Sequence, residues 1–274
     1  MQESEHKNDW VTTDILILGM TYPHYSRKYR ENVCTGAILS GSHRMIRIHP
    51  IPRRYMDVRF KNFQWIRARV SKHPHDPRPE SYRIDPESIE LKNEIPSKKS
   101  EERRAILESS PHVFSSVEEL KKAYETAQTS MGIVRPKRIT NLRITMRSKS
   151  ARAEWLETEK KMLAQRDLYE RPPMRIDFPE ARFMVGWICD DKRCSGHEMG
   201  LEQWGLHELY RKYRGRADCE DKVLSEMQRR LDDKKYDIFL FLGNFRGVMY
   251  NFGLMDSYNA KKVQPKPQLS LLEG

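Results

Sequence analysis

Two cysteines and a histidine lie close together in the second half of the chain, in the order C-x4-C-x2-H at Cys189, Cys194 and His197. Thiolate and imidazole groups are ligands that zinc prefers, and Gly196 permits the tight turn that would bring them together. The spacing therefore predicts a zinc site in this segment. In the simplest alternative, the cysteines are small buried residues on either side of a turn.

A fourth ligand for this site must come from another part of the sequence. We take His207 as the candidate, with Cys219 and Cys34 as alternatives. Four protein ligands would close the site and make it structural, whereas three ligands and a water would leave it open for hydrolysis. The sequence alone leaves both forms open.

Other chemistries of the same segment have weaker support. A zincin-type metalloprotease needs a second histidine four residues after His197, and this position is Leu201. A nucleophilic pair of Cys194 and His197 is conceivable, but short loops bring such pairs together by chance. A magnesium-dependent nuclease would use nearby acids whose spacing matches no motif. These acids are Asp177, Glu180, Asp190 and Asp191.

The charge of the chain points to a polyanionic partner. Its 50 Lys and Arg residues exceed its 39 Asp and Glu residues, which gives a net charge of +11 and a pI near 9.4. Residues 44–72 hold nine basic residues and one acid, and residues 135–152 hold seven basic residues and no acid. We therefore expect two basic segments on an otherwise slightly acidic body.

The first basic segment also contains Tyr55, Phe60, Phe63 and Trp65. Cations neutralise phosphates and aromatic rings stack on unpaired bases, so this composition is typical of proteins that bind single-stranded nucleic acid. In the alternative, the aromatic residues belong to the core and the arginines to a solvated face. We predict phosphate contacts from Arg44, Arg47, Arg53, Arg54, Lys61, Arg67, Arg69, Arg143 and Arg147, and stacking contacts from Tyr55 and Trp65.

Alternation of apolar and polar residues predicts the strands that carry these arginines. At residues 44–49, Ile46 and Ile48 share one face and Arg47 lies on the other. Residues 65–70 and 141–147 repeat the pattern, so three predicted strands carry arginine on the face away from the core. Further strands are predicted at 13–19, 182–189, 236–243 and 248–255. Helices are predicted at 98–109, 117–128, 150–169, 201–214 and 218–232.

Short strands with intervening helices predict an α+β fold of small barrels or curled sheets rather than a doubly wound sheet. Neither of the two common glycine-rich nucleotide motifs occurs. The longest apolar runs, at 15–20 and 238–242, are shorter than the ~20 residues of a membrane-spanning helix. Four cysteines are too few for a disulfide scaffold, and the first residues are charged, so we expect a cytoplasmic protein.

Several short motifs give the chain a family resemblance. They are TYP at 21–23, VCTGAI at 33–38, RIHPIP at 47–52, FKNFQWI at 60–66, DPRPESY at 76–82 and the segment 189–197. With these motifs the sequence resembles the dual OB-fold-containing proteins, a bacterial family associated with mobile elements and phage defence. The resemblance covers roughly residues 13–90 and 180–255. It implies two OB-like barrels, which commonly bind oligonucleotides, and it carries over no catalytic residue.

We therefore predict an α+β chain of two small OB-like β-barrels with helical insertions. The predicted division is a first OB-like domain at 1–97, a helical insertion or linker at 98–130, a second OB-like domain at 131–262 and a flexible tail at 263–274.

The expected function is non-enzymatic binding of single-stranded or structured DNA or RNA, as a recognition or accessory subunit. The resemblance implies a prokaryotic antiviral setting, and we expect an effector protein as a further partner. Zinc is the expected cofactor. The alternatives are a metal-dependent nuclease or phosphoesterase that uses residues 189–197, and a protein-interaction subunit of a larger complex.

Overall fold

The computed structural model describes residues 10–26, 30–52, 60–164, 174–245 and 248–262 as two seven-stranded sheets and five α-helices. The first sheet contains β1 (Val11–Met20), β2 (His24–Ser26), β3 (Arg30–Leu39), β4 (Met45–Pro52), β5 (Gln64–Lys72), β6 (Ser81–Ile84) and β7 (Glu90–Glu94). The second contains β8 (Val113–Phe114), β9 (Met131–Val134), β10 (Pro136–Met146), β11 (Ala181–Cys189), β12 (His197–Leu201), β13 (Tyr236–Phe245) and β14 (Val248–Lys261). The helices are α1 (Ser100–Glu108), α2 (Val117–Ala127), α3 (Lys149–Ala164), α4 (Trp204–Tyr213) and α5 (Cys219–Arg230). Within these ranges, no helix combines the length and apolar character needed to cross a membrane.

The first sheet closes on itself as a five-stranded barrel. Its strands follow the order β1-β3-β4-β6-β5, and β5 pairs again with β1. The pair β4 and β6 is parallel, while the other pairs of the barrel are antiparallel. This is the Greek-key barrel of the OB fold. Alternate residues point inward, so Ile15, Ile17, Ile46 and Ile48 form its apolar interior.

The second sheet repeats this arrangement around one bent strand. A single residue separates β9 from β10; β9 pairs with β13, and β10 pairs with β11 at the other end of the sheet. Both ends of the sheet therefore belong to one stretch of chain, and the sheet curls into a second barrel. Its parallel pair, β12 and β14, corresponds to β4 and β6. The prediction of an α+β fold with two OB-like barrels is confirmed.

Three helices complete the interior of the second barrel. Leu206 of α4 and Val223 of α5 are buried with strand residues such as Phe183. Helix α2 adds Val117 and Leu120 to the same cluster. Helix α2 lies between β8 and β9 in the chain, and its apolar face packs onto the strands of this barrel.

The two barrels pack against each other through a shared apolar core. Leu16 and Leu18 of β1 and Met45 of β4 meet Phe239 and Phe241 of β13 in one buried cluster. Strand β1 is therefore buried on both faces, because Ile15 and Ile17 fill its own barrel while Leu16 and Leu18 face the other. This explains the uninterrupted apolar run that the sequence shows at these positions.

One predicted strand face is oriented as expected but is buried rather than solvated. The arginine of β4, Arg47, is only 3% exposed, although the alternation predicted a solvated face. The core-facing positions Ile46 and Ile48 are as predicted. The difference arises because the second barrel covers the outer face of β4, which a strand pattern read within one barrel cannot reveal.

A polar network surrounds Arg47 at this interface. Arg47 Nη2 donates to the backbone oxygens of Asn244 at 3.1 Å and Ser130 at 3.3 Å. Arg78 Nη1 donates to the same Asn244 oxygen at 2.8 Å. The Glu80 carboxylate accepts from Ser130 N at 3.0 Å and from Ser130 Oγ at 2.6 Å. We call these five residues the interbarrel clasp, because Arg47, Arg78 and Glu80 of the first barrel bond to Ser130 and Asn244 of the second.

Candidate metal centre and nucleic-acid interface

The predicted metal ligands lie at the turn between β11 and β12. Cys189 ends β11, His197 begins β12, and Gly196 between them has a φ of 101°, which favours glycine. The turn folds back on itself, since Cys189 N lies 3.3 Å from the Sγ of Cys194. Cys194 Sγ in turn lies 3.4 Å from His197 Nε2. The three residues that the spacing singled out are therefore brought together.

Helix α2 supplies the fourth group of this cluster. Glu118 Oε1 lies 3.2 Å from His197 Nε2, and the ligand atoms of Glu118, Cys189, Cys194 and His197 all lie within 4.8 Å of one another. The start of α2 is tied to the turn, because Ser116 Oγ donates to Asp191 Oδ2 at 2.9 Å. We call Glu118, Cys189, Cys194 and His197 the Cys/His/Glu cluster.

Sequence reasoning missed Glu118. Ser116 and Glu119 have the spacing of a capping box, which predicts the beginning of α2, and the backbone N–H of Glu119 donates to Ser116 Oγ at 3.0 Å. Nothing in the spacing, however, indicated that this helix end packs against a turn that follows much later in the chain. The sequence therefore places Glu118 at the start of a helix, but it gives no sign that Glu118 lies beside Cys189, Cys194 and His197.

Burial shifts the pKa of two residues of the cluster. It raises the pKa of the Cys189 thiol to about 11 and lowers the pKa of His197, against the opposing effect of Glu118. Glu118 Oε2 is buried and has no hydrogen-bond partner among the described residues. Two sulfur atoms, an imidazole and a carboxylate with one unpartnered oxygen form a donor set that matches a zinc ion.

The structure places His207, our candidate fourth ligand, outside this cluster. Its ring lies 4.6 Å from that of Tyr22 and 4.8 Å from that of Phe183, and its Nε2 lies 3.9 Å from Glu202 Oε2. Burial lowers the pKa of His207 to about 3, with a smaller contribution from Arg147. His207 lies on the buried face of α4, which packs against the barrel, and this explains its distance from the turn.

The two alternative ligands lie elsewhere as well. Cys219 begins α5, and its Sγ lies 3.7 Å from the backbone oxygen of Tyr210. Cys34 of β3 packs against the core between the barrels.

The acids considered for a nuclease do not converge. Asp190 pairs with Lys137 at 2.8 Å, and Asp191 pairs with Arg193 at 2.6 Å. Asp177 and Glu180 line a separate shallow pocket near Tyr22 and His207. Within the described ranges, the Cys/His/Glu cluster is the one group of this kind with metal-ligand geometry.

Five of the predicted phosphate contacts are already paired; four of these side chains are exposed and the fifth, Arg147, is half-buried. Arg67 holds Asp14 in a bidentate pair, with N–O distances of 2.8 and 2.9 Å, and the Arg67 side chain is 49% exposed. The other pairs are Arg69 with Asp85 at 2.6 Å, Lys61 with Glu94 at 2.8 Å, Arg143 with Glu198 at 2.5 Å and Arg147 with Glu202 at 3.4 Å. Exposed pairs of this kind contribute little to stability, so a polyanion can compete for these cations.

The remaining predicted contacts differ in their surroundings. Arg44 is exposed, and Trp65 is half-buried against the core between the barrels. Phe60 and Phe63 are buried, as the alternative interpretation of this segment expected. Arg53, Arg54 and Tyr55 lie outside the described residues.

In the second barrel, the outer face of β10, β11 and β12 is exposed, whereas the equivalent face of the first barrel is buried. On the outer face of β10 and β11, Arg143 lies opposite Met184, and Thr145 lies opposite Arg182. Met184 in turn lies opposite Gly200 of β12. Both arginines are exposed. The corresponding strands of the first barrel, β1, β3 and β4, turn their outer face into the shared core.

Two family models match this chain. The model described as Domain of unknown function (DUF8757) matches residues 113–273, which is more than half of the chain. The chain belongs to the DUF8757 family. The model described as Domain of unknown function (DUF8758) matches residues 11–109. The two matches fit a protein of two domains, and the second contains the Cys/His/Glu cluster and the exposed sheet face.

Two solved structures show a distant similarity to this chain. No curated protein matches the chain. A structure described as "Molecular basis for abrogation of activation of pro-inflammatory cytokines" is 10% identical, with 93% of this chain and 97% of that chain covered and a TM-score of 0.27. A structure described as "Structure of murine DNA binding protein bound with ds DNA" is 11% identical, with 93% and 98% covered and a TM-score of 0.30. Both TM-scores are too low to support an argument about function.

Proposed function

We propose that this protein binds nucleic acid on the outer face of β10, β11 and β12 and acts as a recognition or accessory subunit. The observation that carries the proposal is the exposure of this curved face, with Arg143 and Arg182 on it, in a barrel of OB topology. Barrels of this kind bind oligonucleotides on the face of their second and third strands. Here those strands are β11 and β12.

The charges on this face suit a phosphate backbone. Arg182 has no carboxylate at ion-pair distance among the described residues, and Arg143 is 46% exposed beside Glu198. A phosphate can accept from Arg143 in place of Glu198, with release of counterions. Aromatic residues of β11, such as Phe183 and Trp187, point inward, so we infer that backbone contacts contribute more than base stacking on this face.

The test is a fluorescence-anisotropy titration of labelled single- and double-stranded DNA and RNA at two salt concentrations. We expect binding that weakens steeply with salt. Replacing Arg143 and Arg182 together by Ala should lower affinity and flatten the salt dependence.

The matched control for this test is the double replacement of Arg67 and Arg69 by Ala. If the control variant loses affinity and the first does not, binding belongs to the first barrel. If the wild-type protein binds none of the four ligands at low salt, the proposal fails. The protein-interaction alternative, with an effector as the partner, would then be preferred.

The biological setting is proposed on the sequence motifs alone. The segments at 33–38, 47–52 and 76–82 resemble those of the dual OB-fold-containing proteins. We propose on this ground that the protein serves a prokaryotic antiviral defence system. Loss of protection against phage on deletion of the gene would support this role, and unchanged protection would contradict it.

We also propose that the Cys/His/Glu cluster binds zinc. Two sulfur atoms, one imidazole nitrogen and one carboxylate oxygen within 4.8 Å of one another match the ligand types and number of tetrahedral zinc sites. Elemental analysis of the purified protein should find one zinc per chain, and replacing Cys189 and Cys194 together by Ser should abolish it. A wild-type protein that neither contains zinc nor binds added zinc would contradict the proposal.

A further inference from the structure

We infer that the zinc ion is a structural clamp that fastens helix α2 to the second barrel. The inference rests on the zinc site proposed above and assigns its role. Three of the four ligands belong to the turn between β11 and β12, whereas Glu118 belongs to α2, which lies between β8 and β9, much earlier in the chain. The metal therefore joins two segments that have no short covalent connection.

The donor set closes the site. Four protein ligands complete the tetrahedral coordination that zinc takes in structural sites, so no position remains for a water or a substrate. The His197 ring also packs 5.3 Å from the Trp187 ring, which holds this side chain against the barrel. The cluster thus resolves the choice between a structural and a hydrolytic site in favour of the structural form.

Helix α2 needs such an attachment. It buries Val117, Leu120 and Tyr124 in the barrel core, so its detachment would expose the strand residues beneath it. Besides the apolar contacts, its first turn is tied to the β11–β12 turn by Ser116 Oγ, which donates to Asp191 at 2.9 Å. Glu118 Oε2 is buried without a partner among the described residues, and a metal ion supplies what this oxygen lacks.

Because of its position, the clamp also stabilises one end of the second barrel. The turn that holds three ligands connects β11 to β12, the two strands at the centre of the exposed sheet face. Fixing this turn also fixes the ends of both strands. Because a preformed metal site is absent from an unfolded chain, the binding free energy of the ion adds to the stability of this end of the barrel.

The experiment compares hydrogen exchange of the full-length protein with zinc and after removal of zinc by a chelator. We expect the amides of α2 and of residues 190–197 to exchange at least about tenfold faster without the metal, while β1 and β5 in the first barrel stay protected. Readdition of zinc should restore the protection. Equal exchange of α2 in both states would overturn the clamp.

A pair of variants isolates the contribution of α2. Glu118→Gln should lower the zinc affinity by at least about tenfold, measured by competition with a chromophoric chelator, and should speed exchange of α2 in the zinc-loaded protein. Glu125→Gln is the matched control, since Glu125 is exposed on the same helix. Co²⁺ substitution should give the absorption bands of a tetrahedral site with thiolate ligands, and these should change in Glu118→Gln only.

The outcomes separate the two proposals. If the wild-type protein binds no zinc, the zinc site itself is absent and the clamp fails with it. If zinc binds with the same affinity and the same α2 exchange in Glu118→Gln, the site exists but does not include α2. The second result would overturn the clamp alone.

Discussion

Asp256 is a buried carboxyl group at the contact between the two barrels. It is 1% exposed, and it accepts hydrogen bonds from Ser257 N at 2.7 Å, from Asn62 Nδ2 at 3.2 Å and from Gln203 Nε2. Burial is the largest influence and raises the pKa of Asp256 from its ordinary 3.8 to about 7, although these donors oppose the rise. Folding therefore favours the protonated form of this group.

The raised pKa predicts a stability that falls with pH. Between about pH 4 and pH 7 the folded protein holds a proton on Asp256 that the unfolded chain has lost, so the free energy of unfolding decreases as pH rises through this range. Above about pH 7 the loss is complete. We expect it to be on the order of a few kcal/mol. Urea denaturation at several pH values between 4 and 8 measures this decrease.

The variant Asp256→Asn removes the titrating group. It should flatten this part of the pH profile and make the protein more stable than the wild type at pH 8, because the Asn62 amide can rotate to accept from the new NH₂ group. Asp221→Asn, on the exposed side of α5, is the control and should keep the wild-type profile. A profile that stays steep in Asp256→Asn would assign the dependence to another group.

At the scale of elements, the close approach of β1 to β14 requires a glycine. A Cβ atom at Gly19 would lie 2.5 Å from the Cβ of Asp256, which is closer than such atoms come in real structures. Gly19→Ala should therefore push the strands apart and destabilise the protein by roughly 1–3 kcal/mol, as overpacked cores do. Thermal or urea denaturation measures the loss.

The matched control for this strand is Gly205→Ala. Gly205 lies in helix α4, and a Cβ there would meet nothing within 4 Å. Because alanine favours helix over glycine by about 1 kcal/mol, this variant should be as stable as the wild type or more so. Equal stability of Gly19→Ala and the wild type would show that the two strands separate at little cost.

Elements whose own residues carry a clear pattern could be predicted from the sequence, whereas elements without such a pattern were missed. Helix α2 could be predicted from its own residues, because Ser116 and Glu119 have the spacing of a capping box and Ser116 caps the helix. Strand β12 was missed: residues 201–214 were predicted as helix, but β12 ends at Leu201 and α4 begins only at Trp204. Strand β3 was missed because it buries Glu31 and Asn32, which break the apolar alternation.

The candidate site shows the same division. Cys189, Cys194 and His197 could be predicted because their spacing is local, whereas Glu118 and the burial of Arg47 depend on contacts between distant segments. The nucleic-acid contacts and the division of the chain at 98–130 stay predictions. Sequence patterns thus predict features that depend on residues close together in the chain. They do not predict contacts between distant segments, such as the burial of Arg47 by the second barrel.

At the scale of the whole molecule, the barrels share both an apolar core and a polar clasp. Arg78 makes a bidentate pair with Asp76, with N–O distances of 2.8 and 2.5 Å, and both side chains are almost fully buried. The same guanidinium donates to Asn244 O in the second barrel at 2.8 Å. The two barrels cannot separate from each other without exposing the apolar strands β1 and β13 and breaking these hydrogen bonds.

We therefore expect the two barrels to unfold together, in one cooperative transition. Arg78→Ala should lower the midpoint of this transition, because it leaves the buried Asp76 without its partner at a cost of roughly 3–5 kcal/mol. Arg67→Ala, which breaks an exposed pair on the same barrel, is the control and should change the midpoint little. Differential scanning calorimetry that resolves two separate transitions in the wild-type protein would show instead that each barrel is stable alone and that the clasp joins two independently folded units.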